Sequence, residues 1–240
     1  MGAAPAINAG VEMAAAGADW IDVGGESTRP GSTPVPADEE ERRVVPVIAG
    51  LVERLGARVR LSVDTYKAST AQAALAAGAT VVNDISGGLL DPALLDVAAA
   101  GGAAVVLGHL RGAPATMMDD VAFGDVVAEV IAELTGRVTA ARRAGCREIW
   151  VDPGIGFGKR MEHNLALLRR LPDLCAAVEV PVMVGVSRKA FLGQLTGRPA
   201  GERVYATAAA VTVAVRGGAR AVRVHDVQAM RDVVLVADAI

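Results

Sequence analysis

Seven short runs of mainly aliphatic and β-branched residues alternate along this chain with longer segments rich in Ala, Leu, Glu and Arg. This alternation is typical of repeated strand–helix units arranged around a parallel sheet. Apolar residues make up 52% of the sequence and aromatic residues only 3%, a composition that suits parallel strands covered by helices on both faces. We predict strands near residues 20–23, 59–63, 80–83, 103–107, 148–151, 182–186 and 221–224.

The predicted helices lie near residues 4–16, 37–55, 67–77, 92–100, 121–144, 162–178, 203–216 and 227–239. A strand–helix series that opens on a helix indicates that its first strand is absent, and one more strand would complete the (β/α)₈ count. We therefore predict an α/β fold of the TIM (β/α)₈ barrel type, with seven strands and eight helices in a single domain over residues 1–240. An open doubly wound sheet is the alternative, which we disfavour because no Gly-rich dinucleotide fingerprint follows an early strand.

The distribution of charge and of apolar residues excludes several classes of partner. The formal net charge is -3, and no basic block is present to neutralise a nucleic acid backbone. The apolar runs are shorter than the roughly 20 residues needed to cross a bilayer, and no leader pattern opens the chain. The two cysteines have neither metal-ligand nor redox-pair spacing. We expect a cytoplasmic protein without a nucleic acid or membrane partner.

Polar side chains follow nearly every predicted strand at its C-terminal end. In a parallel barrel these ends share one face, where active sites are built. Helix capping or a local turn would explain any single Asp as readily as function does, but capping does not require polar groups after all seven strands. The set comprises Asp22, Glu26, Thr28, Arg29, Asp64, Asn83, Asp84, His109, Arg111, Asp152, Ser187, Arg188, Lys189, Arg223, His225 and Asp226.

The chemistry of this set points to two kinds of ligand group. Planar acceptors and donors suited to the edge of a flat heterocycle are offered by Asp64, Asn83, Asp152 and Lys189. Positive charge suited to an anion is offered by Arg29, Arg223 and His225. The turn DPGIGFGK, residues 152–159, adds glycines that allow close backbone approach and an aromatic ring, Phe157, to wall a pocket. The sequence therefore predicts a site for a ring and a phosphate or carboxylate.

Six segments, in this order, resemble motifs of the dihydropteroate synthase family of the pterin-binding TIM-barrel superfamily. They are DVGGESTRPG (22–31), SVDTYKA (62–68), VNDISGG (82–88), DPGIGFGK (152–159), VGVSRKAFLG (184–193) and RVHDV (223–227). Together they span almost the whole chain. Methyltetrahydrofolate-binding methyltransferase domains share the barrel and the pterin-holding acids and amide, but they resemble the ESTRPG and SRK segments far less.

The resemblance implies a transferase of folate biosynthesis. It would condense 6-hydroxymethyl-7,8-dihydropterin diphosphate with 4-aminobenzoate, forming 7,8-dihydropteroate and releasing pyrophosphate. It further implies Mg²⁺ as cofactor, sulfonamides as inhibitors that mimic aminobenzoate, and a homodimer formed through the later helices. The C–O bond would break ahead of amine attack, so that a pterin cation and a pyrophosphate anion separate within the site.

Carried over residue by residue, the resemblance also implies the following roles. The pterin ring would be held by Asp64, Asn83, Asp152 and Lys189. The aminobenzoate pocket would be formed by Thr28, Arg29, Pro30, Phe157 and Ser187. The diphosphate would be held by Arg223 and His225. The groups expected to act on the reacting atoms are Asp64, Asp152, Lys189 and Arg223.

Two departures from the family pattern carry expectations of their own. The family's opening strand and loop, which supply an Asn near the metal, have no counterpart in this chain, so we assign no metal ligand and expect that activity is impaired. Gly108 stands where the family usually has Met, which predicts a more open floor to the pterin pocket. The alternatives to an active synthase are a catalytically silent pterin-binding homologue and a methyl-group-carrying folate-binding domain.

Overall fold

The computed structural model describes residues 2–29 and 31–240, and this part of the chain contains seven strands. They are β1 (Trp20–Gly24), β2 (Arg60–Asp64), β3 (Val81–Asp84), β4 (Ala104–Gly108), β5 (Ile149–Asp152), β6 (Met183–Val184) and β7 (Ala221–Val222). All seven predicted strands are confirmed, with ends that differ by no more than two residues.

The helices in the same residues are α1 (Ala3–Ala15), α2 (Ala37–Leu55), α3 (Ala68–Ala76), α4 (Ala93–Ala100), α5 (Val126–Ala144), α6 (Met161–Arg169), α7 (Leu171–Val178), α8 (Ala190–Thr196), α9 (Val204–Arg216) and α10 (Val227–Ala239). The prediction of eight helices is therefore wrong, because ten are present in the described part of the chain.

The differences in helix number and length have local causes. The segment predicted as one helix over residues 162–178 is divided at Arg170, whose backbone lies at φ -105 and ψ 24, just before Pro172 in the first turn of α7. Proline has no N–H to continue the hydrogen-bond ladder, so it favours a new helix start. The helix predicted from residue 121 begins at Val126, because the Asp125 side chain accepts the N–H groups of Val127 and Ala128 as a cap.

The strands are parallel and follow chain order. Strands β1 to β5 form one sheet in the order β1-β2-β3-β4-β5, β6 pairs with β7, and a bridge between Val151 and Val182 links the two sheets. A doubly wound sheet would instead reverse its strand order part of the way along the chain. The order is that of an α/β barrel of the TIM type. No backbone pairing joins β7 to β1 among residues 2–29 and 31–240.

The core lies between the strands and their covering helices. Ile48 and Leu51 of α2, Val63 of β2, Val105 of β4 and Leu134 of α5 are completely buried within one large apolar cluster. Burying an aliphatic side chain of this kind stabilises a fold by about 1.5–3 kcal/mol. The helices are thereby held against the outside of the strands.

A second apolar cluster fills the N-terminal end of the barrel. Val81, Ala104, Val106 and Met183 pack there with two tryptophan rings, which meet edge to face with centroids 5.1 Å apart. The opposite end, at the C-terminal ends of the strands, carries the polar side chains. No helix in the described residues is both long and apolar enough to span a membrane.

Candidate active site

A cavity of about 1730 Å³ opens at the C-terminal ends of the strands and continues along the interval between β7 and β1. The residues nominated from the sequence that line it are Thr28, Arg29, Asp64, Asn83, Phe157, Ser187, Lys189, Arg223 and His225. Asp152, at the end of β5, is partly exposed, and its Oδ1 accepts the Gly154 N–H at 2.7 Å. Pro30 lies outside the described residues. The predicted convergence on one face is thus found for the nominated residues that the structure describes.

The strand register explains why the first acids and the amide meet. Asp64 of β2 pairs with Asn83 of β3, and Gly24 of β1 pairs with Asp64. Asp22 lies two residues before Gly24 and therefore points to the same face. The Nδ2 group of Asn83 donates to Asp22 Oδ2 at 3.0 Å. A carboxylate can only accept, so this contact fixes which end of the Asn83 amide faces the acid.

Arg223, just beyond β7, reaches across the interval to β1 and β2. Its Nε donates to Asp22 Oδ2 at 2.6 Å, and its Nη2 donates to Asp64 Oδ2 at 2.7 Å. The sequence nominated Arg223 for the diphosphate and Asp64 for the ring, and the structure pairs them with each other. The two carboxylates raise the pKa of the arginine, Asp22 most strongly.

The two carboxylates in this cluster each have one oxygen that makes no hydrogen bond in the described residues. Asp22 Oδ1 and Asp64 Oδ1 are buried, and neither has a hydrogen-bond partner in the described residues. Burial, with the charges of Asp22 and Glu40, raises the pKa of Asp64 to about 7 against the opposing charges of Arg223 and Lys189. A buried acceptor without a partner is costly. The cluster is therefore suited to receive N–H donors from a ligand.

Lys189 and Phe157 form the opposite wall. The Lys189 ammonium lies 4.1 Å from the centroid of the Phe157 ring, a cation–π distance. Burial lowers the pKa of Lys189 to about 8, and the negative charge of Asp152 opposes that change. A Cβ at Gly156, whose φ is +83, would lie 3.1 Å from Lys189 Cδ, so the glycine allows the turn to pass close to this side chain.

Ser187 and His225 form a pair beside the arginines. The Ser187 hydroxyl accepts the backbone N–H of His225 at 3.2 Å and lies 2.9 Å from its Nδ1. Burial lowers the pKa of His225, and the charges of Arg188 and Arg223 lower it further. The imidazole is therefore neutral at pH 7 and can act as a hydrogen-bond donor rather than as a cation.

The loop between β1 and α2 extends over the cavity. Thr28 and Arg29 lie on it, and the Gly31 N–H donates to the Pro114 carbonyl oxygen at 3.4 Å on the connection after β4. The positive charge of Arg29 contributes to the lowered pKa values of Lys189 and His225, for which burial is the main cause. The loop thus brings a cation close to the polar floor of the cavity.

A buried polar cluster behind the turn 152–159 was missed as a unit from sequence. His109 Nδ1 lies 2.9 Å from Lys159 Nζ, and His109 Nε2 lies 3.1 Å from Glu133 Oε2 on α5. Burial lowers the pKa of Lys159 to about 7, and burial with three nearby cations lowers the pKa of His109. No local spacing signals these contacts, because 24 to 50 residues separate the partners.

Two further findings concern Asp22 and Gly108, whose surroundings could not be read from the sequence. Asp22 was noted after the first strand but received no role, and only the register shows that it contacts both Asn83 and Arg223. A Cβ at Gly108 would lie 2.6 Å from Ile85 Cα. The backbone of Ile85 occupies that space, so the predicted more open floor is wrong.

The side chains around the cavity determine whether the site can hold a metal ion. No group of three or more His, Cys, Asp or Glu side chains suited to a metal ion is found in the described residues. Mg²⁺ commonly takes one or two carboxylates together with substrate phosphates and water. The unpartnered Oδ1 of Asp22 is an oxygen ligand of that kind.

A parallel barrel with acids, an amide and cations around a cavity at the C-terminal strand ends defines the class: an α/β-barrel enzyme for a polar ring and an anion. A family model described as pterin binding enzyme matches residues 2–225. The dihydropteroate synthase of Synechocystis sp. is 44% identical over 238 residues, covering 98% of this chain and 81% of the relative. The chain therefore belongs to the pterin-binding enzyme family.

Solved structures agree over nearly the whole chain. The Xanthomonas albilineans dihydropteroate synthase with 4-aminobenzoic acid has a TM-score of 0.92 and 44% identity, covering 99% of this chain and 84% of that chain. The Yersinia pestis dihydropteroate synthase in complex with a sulfonamide drug has a TM-score of 0.92 and 38% identity, covering 97% and 84%.

Proposed function

We infer that this chain is a transferase of folate biosynthesis that condenses 6-hydroxymethyl-7,8-dihydropterin diphosphate with 4-aminobenzoate, forming 7,8-dihydropteroate and pyrophosphate. The observation that carries this conclusion is the 44% identity, over 98% of the chain, to a dihydropteroate synthase. The cavity that gathers Asp64, Asn83, Lys189 and Arg223 is consistent with it. Sulfonamides are the inhibitors expected of such an enzyme, and the Yersinia pestis relative was solved in complex with a sulfonamide drug.

The pterin ring is assigned to the acid and amide cluster. Asp64 and Asn83 offer acceptors to the N–H edge of the ring, and Lys189 offers a donor to a ring oxygen or nitrogen. Asp152, also assigned to the ring, carries a negative charge that acts on Lys189. The unpartnered Oδ1 of Asp64 supports this assignment, because a ring N–H would satisfy it.

The anion is assigned to Arg223 and His225. The pairs with Asp22 and Asp64 use only part of the guanidinium, which retains further N–H donors for a phosphate oxygen. Positive charge here stabilises the leaving pyrophosphate as the C–O bond breaks, while Asp64 and Asp152 stabilise the pterin cation. The cationic and the acidic side chains thus stabilise opposite charges on the two halves of the same substrate.

The second substrate is assigned to the cavity side of the β1–α2 loop. Thr28 and Arg29 come from the loop, and Phe157 and Ser187 come from the facing wall. Pro30, also nominated, lies outside the described residues. An aromatic amine is a weak base that needs no strong proton acceptor to attack a cation. Holding the amine in line contributes most of the assistance.

The proposal also includes a metal ion and a cellular location. Asp22 is the side chain that we propose would hold Mg²⁺, which when bound would supply countercharge to the diphosphate. The whole chain is proposed to act as one pterin-binding domain in the cytoplasm.

The proposed homodimer is formed through the later helices. Val213 of α9 and Leu235 and Val236 of α10 are exposed apolar side chains on neighbouring helices, and such patches mark contact surfaces. Leu235→Glu should convert the dimer to a monomer in sedimentation experiments. Val52→Glu, at an exposed apolar residue of α2, is the matched control and should leave the mass unchanged. A monomeric wild-type chain would contradict the dimer.

The central test measures pyrophosphate release by the full chain with both substrates and Mg²⁺, together with calorimetric binding of the hydroxymethylpterin. Asp64→Asn removes the charge and should weaken pterin binding by about 100-fold, the order expected for a hydrogen-bonded charged group. The control Asp173→Asn changes an exposed, paired carboxylate and should have no effect.

Three outcomes separate the hypotheses. Turnover that sulfonamides inhibit in competition with aminobenzoate supports the synthase. Pterin binding without turnover indicates the silent homologue. Undiminished binding in Asp64→Asn contradicts the site.

A further inference from the structure

The loop between β1 and α2 is closed at its base by buried polar side chains that the reaction does not use. Glu26, Glu40, Tyr66 and Lys67 form this group, here called the neck cluster. The Glu26 side chain is 4% exposed and that of Glu40 1%. Burying two carboxylates is costly unless both are paired. Each carboxylate of this cluster must therefore have a hydrogen-bonding or ionic partner.

Glu26 joins the two ends of the loop. Its Oε2 accepts the backbone N–H of Val35 at 2.9 Å, across nine residues of chain. The same oxygen accepts from Lys67 Nζ at 2.6 Å, and Oε1 accepts from the Tyr66 hydroxyl at 2.8 Å. One carboxylate therefore ties residue 26 to residue 35 and both of them to the connection after β2.

Lys67 extends the cluster to α2. Its ammonium also donates to Glu40 in the first turn of that helix and lies 4.5 Å from the centroid of the Tyr66 ring. Burial disfavours the charged form of Glu26, but the hydrogen bonds from Lys67, Val35 and Tyr66 outweigh it and hold the carboxyl pKa below its ordinary value. Both Glu26 oxygens are engaged, so Glu26 is unsuited to act as a general base.

The geometry of the base determines where the far end of the loop lies. A Cβ at Gly25 would stand 2.8 Å from Glu40 Cγ, so the backbone passes directly over the cluster. Beyond the base, Gly31 reaches Pro114 on the other side of the cavity, and the charge of Arg29 is felt at Lys189 and His225. The loop is held in a closed position between these two points.

We propose that Glu26, held by Lys67 and Tyr66, is a positioning residue for the second substrate: it closes the base of the β1–α2 loop and so keeps Thr28 and Arg29 over the cavity. The assignment of aminobenzoate to this loop rests on the proposed function. The pterin cluster stands on β2, β3 and the later strands, and the neck cluster acts on it through the charge of Glu40 near Asp64, which Glu26→Gln leaves in place.

The kinetic test uses Glu26→Gln, which keeps the size of the side chain and one oxygen acceptor but loses the charge that Lys67 pairs with. We expect the KM for aminobenzoate to rise about tenfold, while the Kd for hydroxymethylpterin changes by less than about twofold. Lys67→Met should act like Glu26→Gln, and Lys67→Arg, which keeps the cation, should restore most of the affinity. Glu53→Gln, at an exposed position near the other end of α2, is the matched control.

A second readout does not depend on turnover. Hydrogen exchange of the full chain without substrate should show the loop amides of residues 27–29, 31–33 and 35 exchanging about tenfold faster in Glu26→Gln, with the strands and α2 unchanged. A purely structural role would instead lower protection throughout the barrel.

The outcomes separate this proposal from the proposed function. If the wild-type chain is inactive, the proposed function is contradicted. Hydrogen exchange of the loop amides still tests whether Glu26 closes the loop. An active wild type overturns the positioning role if Glu26→Gln leaves the aminobenzoate KM unchanged, or if it weakens both substrates equally. Protection lost throughout the barrel also overturns it.

Discussion

At the scale of single residues, the site is defined by charges that burial has moved from their ordinary protonation. Asp64 has a pKa raised to about 7, chiefly by burial, and Lys189 has a pKa lowered to about 8 by the same cause. In the proposed pterin site, Asp64 would accept ring N–H groups best as an anion, and Lys189 would donate best as a cation. The two groups are together in these forms only in the interval between the two pKa values.

The pH dependence of pterin binding should therefore have two limbs. Below about pH 7 Asp64 gains a proton, and above about pH 8 Lys189 loses one, so the affinity for hydroxymethylpterin should fall about tenfold per pH unit on each side. Calorimetric titration between pH 5 and pH 10 measures both limbs. Using the free hydroxymethylpterin avoids titration of the diphosphate.

The alkaline limb has its own matched variant. Lys189→Arg keeps a cation that does not deprotonate in this range, so the alkaline limb should disappear while the acid limb stays. An alkaline limb that persists in Lys189→Arg would show that another group titrates there.

At the scale of elements, the turns after the strands determine which side chains reach the cavity. The turn after β5 depends on Gly154, whose φ is +68 and whose Cβ would stand 2.0 Å from the His109 carbonyl oxygen. The glycine lets this turn lie against the connection after β4, beside the pair of His109 and Lys159. Gly136 of α5 differs, because a Cβ there would meet nothing within 4 Å.

These two glycines should respond to Ala substitution with opposite signs. Gly136→Ala should stabilise the fold by about 1 kcal/mol, because Ala loses less conformational entropy in a helix. Gly154→Ala should destabilise it by more than about 2 kcal/mol, through the positive φ and the contact with backbone. Urea unfolding of the full chain measures both. Equal effects would indicate that the turn can shift at little cost.

At the scale of the whole molecule, two arginines form ion pairs across the interval between β7 and β1, where backbone pairing is not found in the described residues. Arg223 crosses it at the cavity, pairing with Asp22 and Asp64. Arg231 of α10 crosses it at the other end, pairing with Asp19 before β1. The side chains of Asp22 and Asp64, which pair with Arg223, are 17% and 11% exposed, while that of Asp19 is 82% exposed.

This contrast predicts unequal contributions to stability. Arg223→Ala leaves two enclosed carboxylates without their cation and should lower the free energy of unfolding by about 1–2 kcal/mol, a loss reduced by water in the cavity. Arg231→Ala removes an exposed pair and should change it by less than about 0.5 kcal/mol. Chemical unfolding at constant pH compares the two variants, and similar losses would contradict a special role for the cavity pair.

The strands, and the gathering of most nominated residues at one face, were predictable because they depend on local pattern. Short β-branched runs predicted all seven strands, and polar residues after them predicted Asp64, Asn83, Lys189 and Arg223 at one face. The helix count was less predictable. The break at Arg170 depends on a proline within an otherwise continuous apolar pattern, and α8 is a helix of only seven residues after the SRK turn.

What the sequence determined by itself was the alternation of strands and helices, and with it the edge at which the polar residues gather, because periodicity and strand direction follow from neighbouring residues. What only the tertiary structure decided was which polar groups pair: Arg223 with Asp22 and Asp64, Lys159 with His109, and Glu26 with both Lys67 and Val35. Such pairs join residues far apart in the chain, and their strength depends on burial and on the register of neighbouring strands. Neither quantity exists until the barrel has formed.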